Sequence, residues 1–307
     1  MTVVNEKPIQ FGQNRGLVGI VTVPTTLDVD RPAVIILNAG LIHRVGPFRL
    51  NVDLARRLVE RDWLVFRIDQ SGLGDSAARP GTLHYEERAV LDAQDAMDAL
   101  SARLGVKRFI VVGLCAGGLS THRAALEDER IVGGVLLDAY AYATPTHALY
   151  AAMNKAASPA FWQRAGQRAL TLLRGARGGD PTTTRVADVQ PPRSPESPMD
   201  GEQPGQDAAA VFAEDWPARD VIEAELNGIL SRGTQLLFVY TGGWSDYVHR
   251  DQFFEMFPHL TYPERVQVEF YADADHTYAV ASHRARMMSR VENFLDGFAR
   301  ARAARVA

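Results

Sequence analysis

Continuous apolar runs of four to seven residues recur along the chain and alternate with longer amphipathic segments. Runs of this length that are rich in β-branched residues and bounded by glycine or polar residues predict strands buried on both faces. The predicted core strands are Ala33–Leu37, Trp63–Ile68, Phe109–Val112, Ile131–Leu137, Gln235–Tyr240 and Val266–Tyr271. Strand and helix alternate regularly over residues 33–138, which predicts a mostly parallel, doubly wound α/β sheet.

The segments between these runs carry apolar residues at helical spacing. The predicted helices are Asn51–Arg61, His84–Leu104, Leu119–Glu127, Asp251–Phe257 and Arg284–Ala303. Before the first core strand, residues 9–23 alternate around three glycines, which predicts an antiparallel hairpin. The order of these elements predicts that the carboxyl ends of the parallel strands share one edge of the sheet, where α/β proteins bind their ligands.

The strand–helix alternation stops between residues 140 and 232. Two short helical patterns, Ala148–Lys155 and Phe161–Arg174, precede a stretch from residue 175 to 206 that holds six prolines and excludes a regular helix or strand. We interpret residues 140–232 as a cap inserted into the sheet domain. The Pro-rich stretch is then either a mobile lid or a disordered insertion, and the core consists of residues 1–139 and 233–307.

Composition narrows the class of protein. The chain has 307 residues, of which 46% are hydrophobic and 23% charged, enough to bury a full core. A net charge of −4 gives no basic surface for nucleic acid, and no apolar run is long enough to span a membrane. The first residues lack the apolar segment of a signal peptide, which predicts a cytoplasmic location. The single cysteine excludes an intrachain disulfide and a cysteine-based metal cluster, and we predict neither a metal nor another cofactor.

The most informative motif is Gly-x-Cys-x-Gly, centred on that cysteine, Cys115. It follows the strand Phe109–Val112 and precedes a helix, which is typical of a nucleophile elbow. In such a turn the central residue has a strained backbone, and the two glycines let the strand and the helix cross closely. A small buried cysteine is more often a packing residue than a nucleophile, so the chemical interpretation depends on partners elsewhere in the chain.

Acidic and histidine partners follow other core strands. Asp246 lies beyond Gln235–Tyr240, and His276 lies beyond the last strand. Nucleophile, acid and histidine in this chain order predict a catalytic triad in which His276 accepts the thiol proton and Asp246 orients the ring. Asp138 also follows a strand and is a second candidate for the acid.

The loop from Asn38 to Arg49 follows the first core strand and starts with small residues. We predict an oxyanion hole formed by the N–H of Ala116 and one N–H from Gly40 or Leu41. A second turn, residues 69–76, has the pattern Asp-x-x-Gly-x-Gly-x-Ser. Its aspartates are interpreted as structural groups that bond to the backbone of the turn.

Four side chains are candidates for contact with a substrate. His43 and Arg44 lie in the loop after the first core strand, Trp162 lies in the predicted cap, and Trp244 lies in the turn after Gln235–Tyr240. The alternative is that the two loop side chains are solvated and that the cap residue only packs the cap onto the sheet.

Together, the elbow and its partners resemble the α/β-hydrolase fold with a cysteine nucleophile, over about residues 9–303 apart from the cap. The loop 38–49 and the turn 69–76 also resemble a bacterial subgroup that includes exosortase-associated hydrolases. Asn38-Ala39 stands where the superfamily commonly has His-Gly. Dienelactone hydrolases and some acyl-transferring thioesterases of this fold likewise use cysteine.

The resemblance implies a hydrolase or acyltransferase that forms an acyl-cysteine intermediate from an ester or thioester. Its substrate would be a small acyl compound, free or bound to a carrier protein or to coenzyme A. The alternative is a non-catalytic protein of the same fold that binds a small apolar ligand under the cap, since this fold is also used for binding.

Overall fold

The computed structural model describes residues 5–157, 217–243 and 246–306. Within them, eight strands form one sheet in the order β1-β2-β4-β3-β5-β6-β7-β8. The strands are β1 (Asn5–Phe11), β2 (Leu17–Val23), β3 (Ala33–Ile36), β4 (Val65–Asp69), β5 (Phe109–Leu114), β6 (Ile131–Leu137), β7 (Gln235–Thr241) and β8 (Val266–Tyr271). β2 pairs antiparallel with β1, as the alternating pattern predicts. β2 also pairs antiparallel with β4, and all pairs from β4 to β8 are parallel.

The described residues contain seven α-helices. They are α1 (Leu50–Val59), α2 (Tyr85–Leu104), α3 (Ala116–Glu127), α4 (His147–Ala157), α5 (Arg219–Ser231), α6 (Gln252–Met256) and α7 (Ala281–Val306). None of the helices in the described ranges is long and apolar enough to cross a membrane. The strand order and the parallel pairing from β4 to β8 confirm the mostly parallel, doubly wound α/β sheet predicted from the apolar runs.

Two apolar clusters, one on each face of the sheet, form the core. Alternate strand residues point to opposite faces, so Ile35 packs with α2, α3 and α5, whereas Val34 packs with α1 and α7. Helix α5 falls near the end of the predicted cap, yet its Ile222, Leu226 and Ile229 are buried in the first cluster. Burial of both faces explains why the central strands β3, β5 and β6 read as continuous apolar runs.

The chain divides into two compact units, residues 1–147 with 215–307, and residues 148–214. The first unit contains the sheet and α5. The predicted Pro-rich stretch 175–206 and the helical pattern Phe161–Arg174 lie outside the described residues.

The elbow is the tightest crossing in the sheet unit. An ideal Cβ on Gly113 would lie 2.0 Å from the carbonyl oxygen of Gly117, and one on Gly117 would lie 2.3 Å from the carbonyl oxygen of Asn38. Because both obstructing atoms are backbone, neither contact can be relieved by a side-chain rotation. These two glycines let β5, α3 and the loop after β3 meet, and α3 begins at Ala116 rather than at the predicted Leu119.

We expect Gly117→Ala to destabilise the protein by about 3 kcal/mol, because the added methyl group must displace the loop after β3. Gly228→Ala is the matched control. Gly228 is also helical, in α5, but nothing lies within 4 Å of an added Cβ. Alanine there is expected to stabilise by about 0.5–1 kcal/mol through helix propensity. Urea unfolding followed by circular dichroism tests the pair, and equal effects would contradict the close-approach argument.

Candidate active site

Cys115 lies between β5 and α3 in a strained backbone conformation, with φ 57° and ψ −124°. Its N–H donates to Leu137 O in β6 at 2.9 Å, and its carbonyl oxygen accepts from Gly118 N at 2.8 Å. The thiol is half-buried and forms no disulfide. A non-glycine residue with positive φ at this position is the expected geometry of an elbow that presents its side chain at the carboxyl end of the sheet.

His276 lies in the loop after β8, which is held from two sides. Within the loop, the Asp275 carboxylate accepts from Thr277 N at 3.0 Å and from Ala279 N at 2.9 Å. The turn after β7 packs against it, since a Cβ on Gly243 would lie 2.7 Å from His276 N. The backbone that carries His276 is therefore fixed by its own loop and by the neighbouring turn.

The acid that contacts His276 is Asp138, the residue that follows β6. His276 Nδ1 donates to Asp138 Oδ2 at 2.9 Å. The same carboxylate accepts from Thr241 N at Oδ1 and from Thr241 Oγ1 at Oδ2, each at 2.7 Å. Asp138 is completely buried, so these three donors compensate a charge that burial would otherwise penalise.

The prediction that Asp246 orients the histidine is therefore wrong. Asp246 is exposed, five residues beyond β7, and its carbonyl oxygen accepts from Gln252 Nε2. Asp138 follows β6 directly, and its φ of 46° turns the chain at that point. Because β6 and β7 are adjacent, Thr241 at the end of β7 meets the carboxylate that leaves β6.

The imidazole of His276 is electrostatically coupled to both neighbours. Burial lowers its pKa, but hydrogen bonds and charge interactions with Asp138 and Cys115 outweigh burial and raise the pKa to about 9. The ring is then positively charged at neutral pH. With Nδ1 engaged by Asp138, Nε2 is the nitrogen left for the thiol, and the arrangement favours an imidazolium–thiolate pair.

The two predicted parts of the oxyanion hole lie at the start of α3 and in the turn after β3. Ala116 is the first residue of α3, so its N–H has no acceptor within the helix. After β3, Ile42 N donates to Ala39 O at 3.1 Å and closes a turn whose central residues are Gly40 and Leu41. Central N–H groups of such a turn are not used by the closing bond, which leaves them available to a substrate oxygen.

The structure describes two of the four predicted substrate contacts. His43 is exposed and accepts from Val45 N at 3.4 Å, so its substrate contact stays a prediction. The guanidinium of Arg44 is bound to Asp69 and Asp75 and its side chain is 20% exposed, so its substrate contact also stays a prediction. Trp162 and Trp244 lie outside the described residues.

Sequence reasoning missed Thr241, which holds the acid through both its N–H and its hydroxyl group. The available signal was a hydroxyl residue at the end of β7, next to the strand that ends at Asp138. In the part of the chain that the structure describes, no three His, Cys, Asp or Glu side chains come together as metal ligands. The chemistry available here is that of a thiol, an imidazole and a buried carboxylate.

Three features define the α/β-hydrolase fold: a mostly parallel sheet, a strand–elbow–helix with the candidate nucleophile at the turn, and a histidine after the last strand. The described residues have all three. A family described as serine aminopeptidase, S33, matches residues 30–177, just under half of the chain. The matched range includes Cys115, so this chain has cysteine at the elbow position although the family is described as a serine enzyme.

Solved structures agree on the fold. An esterase from Pyrococcus furiosus aligns with a TM-score of 0.59 at 16% identity, over 96% of this chain and 91% of that chain. An α/β hydrolase from a Penicillium species aligns with a TM-score of 0.58 at 18% identity, over 96% and 99%. A proline iminopeptidase from Mycobacterium smegmatis gives 0.55 at 16%, over 96% and 98%. Among curated protein sequences, no match is found.

We expect Asp138→Asn to slow acylation of Cys115 by about 10²- to 10⁴-fold, because the amide cannot support the charged imidazole. Asp246→Asn is the matched control and should change the rate less than twofold. Release of p-nitrophenolate from p-nitrophenyl acetate measures the rate, with Cys115→Ala as the background. If Asp246→Asn has a large effect and Asp138→Asn has little, Asp246 is the acid that orients His276, as the sequence predicts.

The charged histidine also predicts how thiol reactivity depends on pH. Because the pKa of His276 is raised to about 9, the imidazolium is present below that pH and is lost above it. At pH 6.5, His276→Gln should slow alkylation by iodoacetamide about 10- to 100-fold, because the positive charge beside the thiol is lost. At pH 10 the two rates should agree within a few-fold. A rate ratio that is constant from pH 6.5 to 10 would contradict the ion pair.

Proposed function

We propose that the protein is a hydrolase or acyltransferase that acts on an ester or thioester through an acyl-cysteine intermediate on Cys115. The observation that carries the proposal is the continuous link from Cys115 through His276 to the buried Asp138. Each member of this link is held by backbone geometry or by further hydrogen bonds. A thiol that served only to pack the core would not require a charged, carboxylate-bound histidine beside it.

Acylation starts from the imidazolium–thiolate pair. The Cys115 sulfur attacks the carbonyl carbon, a carbon–sulfur bond forms, and the carbonyl π electrons move onto oxygen. The N–H of Ala116 and one N–H from Gly40 or Leu41 stabilise that oxyanion, each contributing about 3 to 4 kcal/mol in sites of this type. When the intermediate collapses, the bond to the leaving group breaks. The leaving alcohol or thiol takes the proton from His276, which becomes neutral.

Deacylation uses the neutral histidine as a base. His276 takes a proton from water or from another acceptor, whose oxygen or nitrogen attacks the acyl-cysteine carbonyl carbon. The carbon–sulfur bond then breaks and the thiolate and imidazolium are restored. Asp138 accepts the Nδ1 hydrogen bond of His276 and stabilises the charged ring each time it forms.

The cysteine bears on the choice of acceptor. A thioester reacts with amines more readily than an oxygen ester does, so Cys115 favours acyl transfer or thioester cleavage over plain ester hydrolysis. Donors bound to a carrier protein or to coenzyme A belong to the proposed range. A thiol nucleophile suits a reducing compartment such as the cytoplasm. A relationship to exosortase-associated hydrolases, suggested by the loop 38–49 and the turn 69–76, remains a proposal.

Intact-protein mass spectrometry after brief exposure to a panel of acyl thioesters and activated esters tests the proposal. We expect the wild type to gain the mass of one acyl group and Cys115→Ala to gain none. The acyl group that is retained longest identifies the substrate class. Adding an amine, an alcohol or water alone to the acylated protein then separates acyl transfer from hydrolysis, and partition only to water would contradict transfer.

Cys115→Ser is the informative control for the role of sulfur. A serine hydroxyl group cannot form the ion pair, and its substitution also removes one of the interactions that raise the pKa of His276. We expect slower acylation than in the wild type at pH 7, although serine is the usual residue at an elbow. An absence of any adduct or turnover in the wild type across the panel would instead support a non-catalytic protein that binds a small apolar ligand.

A further inference from the structure

A buried carboxylate outside the triad holds the loop that follows β3. Asp69, the last residue of β4, is completely buried. Its Oδ1 accepts from Arg44 N at 2.6 Å, and its Oδ2 accepts from Asp75 N at 3.1 Å and from the Arg44 guanidinium. Arg44 Nη2 also lies 2.7 Å from Asp75 Oδ2. Both the backbone and the side chain of Arg44 are thus held by Asp69, at the end of the neighbouring strand β4.

Asn38 connects the same loop to the elbow. Its side-chain Nδ2 donates to Ile42 O at 2.9 Å and to Asp69 Oδ1 at 3.3 Å, and its Oδ1 accepts from Gln70 N at 2.7 Å. Its carbonyl oxygen is the atom that approaches Gly117 in the first turn of α3. The Asn38 side chain therefore binds the far end of the turn 39–42, while its backbone contacts the helix that begins at Ala116.

Apolar burial does little to hold the centre of this turn. Leu41 is 60% exposed and Ile42 is 38% exposed. Gly40 has a φ of +54°, and nothing lies within 4 Å of the position of a Cβ. Polar contacts at the two ends of the turn must then fix its conformation, and those contacts come from Asn38, Asp69 and Arg44.

We propose that Arg44, Asp69 and Asn38 are positioning residues that hold the turn 39–42 so that one of its N–H groups faces the oxyanion formed at Cys115. This inference rests on the proposed function, because it assigns these residues to the acylation step. None of the three contacts the reacting atoms. The Arg44 guanidinium, which sequence analysis places at the substrate entrance, instead acts through the loop.

The proposal separates two reactions of one thiol. Acylation passes through a tetrahedral oxyanion and needs the loop N–H, whereas alkylation by iodoacetamide displaces iodide at carbon and forms no oxyanion. We expect Arg44→Ala to lower the acylation rate about 10- to 100-fold, below the roughly 10²- to 10³-fold cost of deleting an oxyanion donor. Its alkylation rate should stay within twofold of the wild type, because the imidazolium–thiolate pair is untouched.

Two further variants make the test specific. Arg44→Lys retains a charge but cannot reach both carboxylates with a planar fork, so its acylation rate should lie between those of the wild type and Arg44→Ala. Arg130→Ala is the matched control. Arg130 also bridges two carboxylates, Asp128 at 2.7 Å and Asp98 at 2.6 Å, but it precedes β6 and lies at the amino end of that strand. Its removal should leave both rates unchanged.

Hydrogen exchange by mass spectrometry completes the experiment. Peptides that span residues 38–46 should exchange faster in Arg44→Ala than in Arg130→Ala, while peptides from β5 should be unaffected in both. Unchanged acylation in Arg44→Ala, or an equal fall in acylation and alkylation, overturns the positioning role. A wild type that no donor acylates contradicts the proposed function itself. Equal exchange of residues 38–46 in the two variants separately overturns the claim that Arg44 holds the loop.

Discussion

The crossing of β5, α3 and the loop after β3 is the constraint on which the site depends. Backbone atoms of Asn38, Gly113 and Gly117 approach so closely that a single Cβ on either glycine would overlap a carbonyl group. The same crossing forces Cys115 into its strained conformation and brings the start of α3 beside the turn 39–42. The proposed nucleophile and the proposed oxyanion donors thus lie on the segments that meet at this crossing.

Around this crossing, the charged groups are arranged in two separate buried systems. Asp138 supports the imidazole of His276 and is itself held by Thr241. Asp69 supports the guanidinium of Arg44 and, through Asn38, the loop after β3. Buried carboxylates are costly unless they are paired and hydrogen-bonded, and here each is paired with a cation on a loop. Both pairs therefore fix the position of the side chain that they hold, whereas neither has to increase the net stability of the fold.

Much of the fold follows from the sequence because its cause is local or periodic. Continuous apolar runs revealed the parallel strands, and the Gly-x-Cys-x-Gly motif revealed the elbow, since only glycine fits the crossing. The acid could not be assigned in this way. Asp138 and Asp246 both follow core strands and both lie between Cys115 and His276 in the chain, so chain order does not distinguish them. The distinction depends on the positive φ of Asp138 and on the pairing of β6 with β7, which brings Thr241 to the carboxylate. Similarly, the sequence does not show that Arg44 is paired, because its partner Asp69 lies at the end of another strand, β4.

An acid that follows β6 rather than β7 has a consequence for the histidine. Asp138 is completely buried at a strand end, where the backbone of the adjacent strand supplies a donor, whereas a carboxylate at the position of Asp246 would remain in contact with water. A dehydrated carboxylate interacts more strongly with the imidazolium than a hydrated one does. Together with the thiol, it accounts for a pKa of about 9 despite the opposing effect of burial. An imidazole that is protonated at neutral pH pairs readily with a thiolate. The position of the acid and the presence of cysteine at the elbow are therefore consistent with each other.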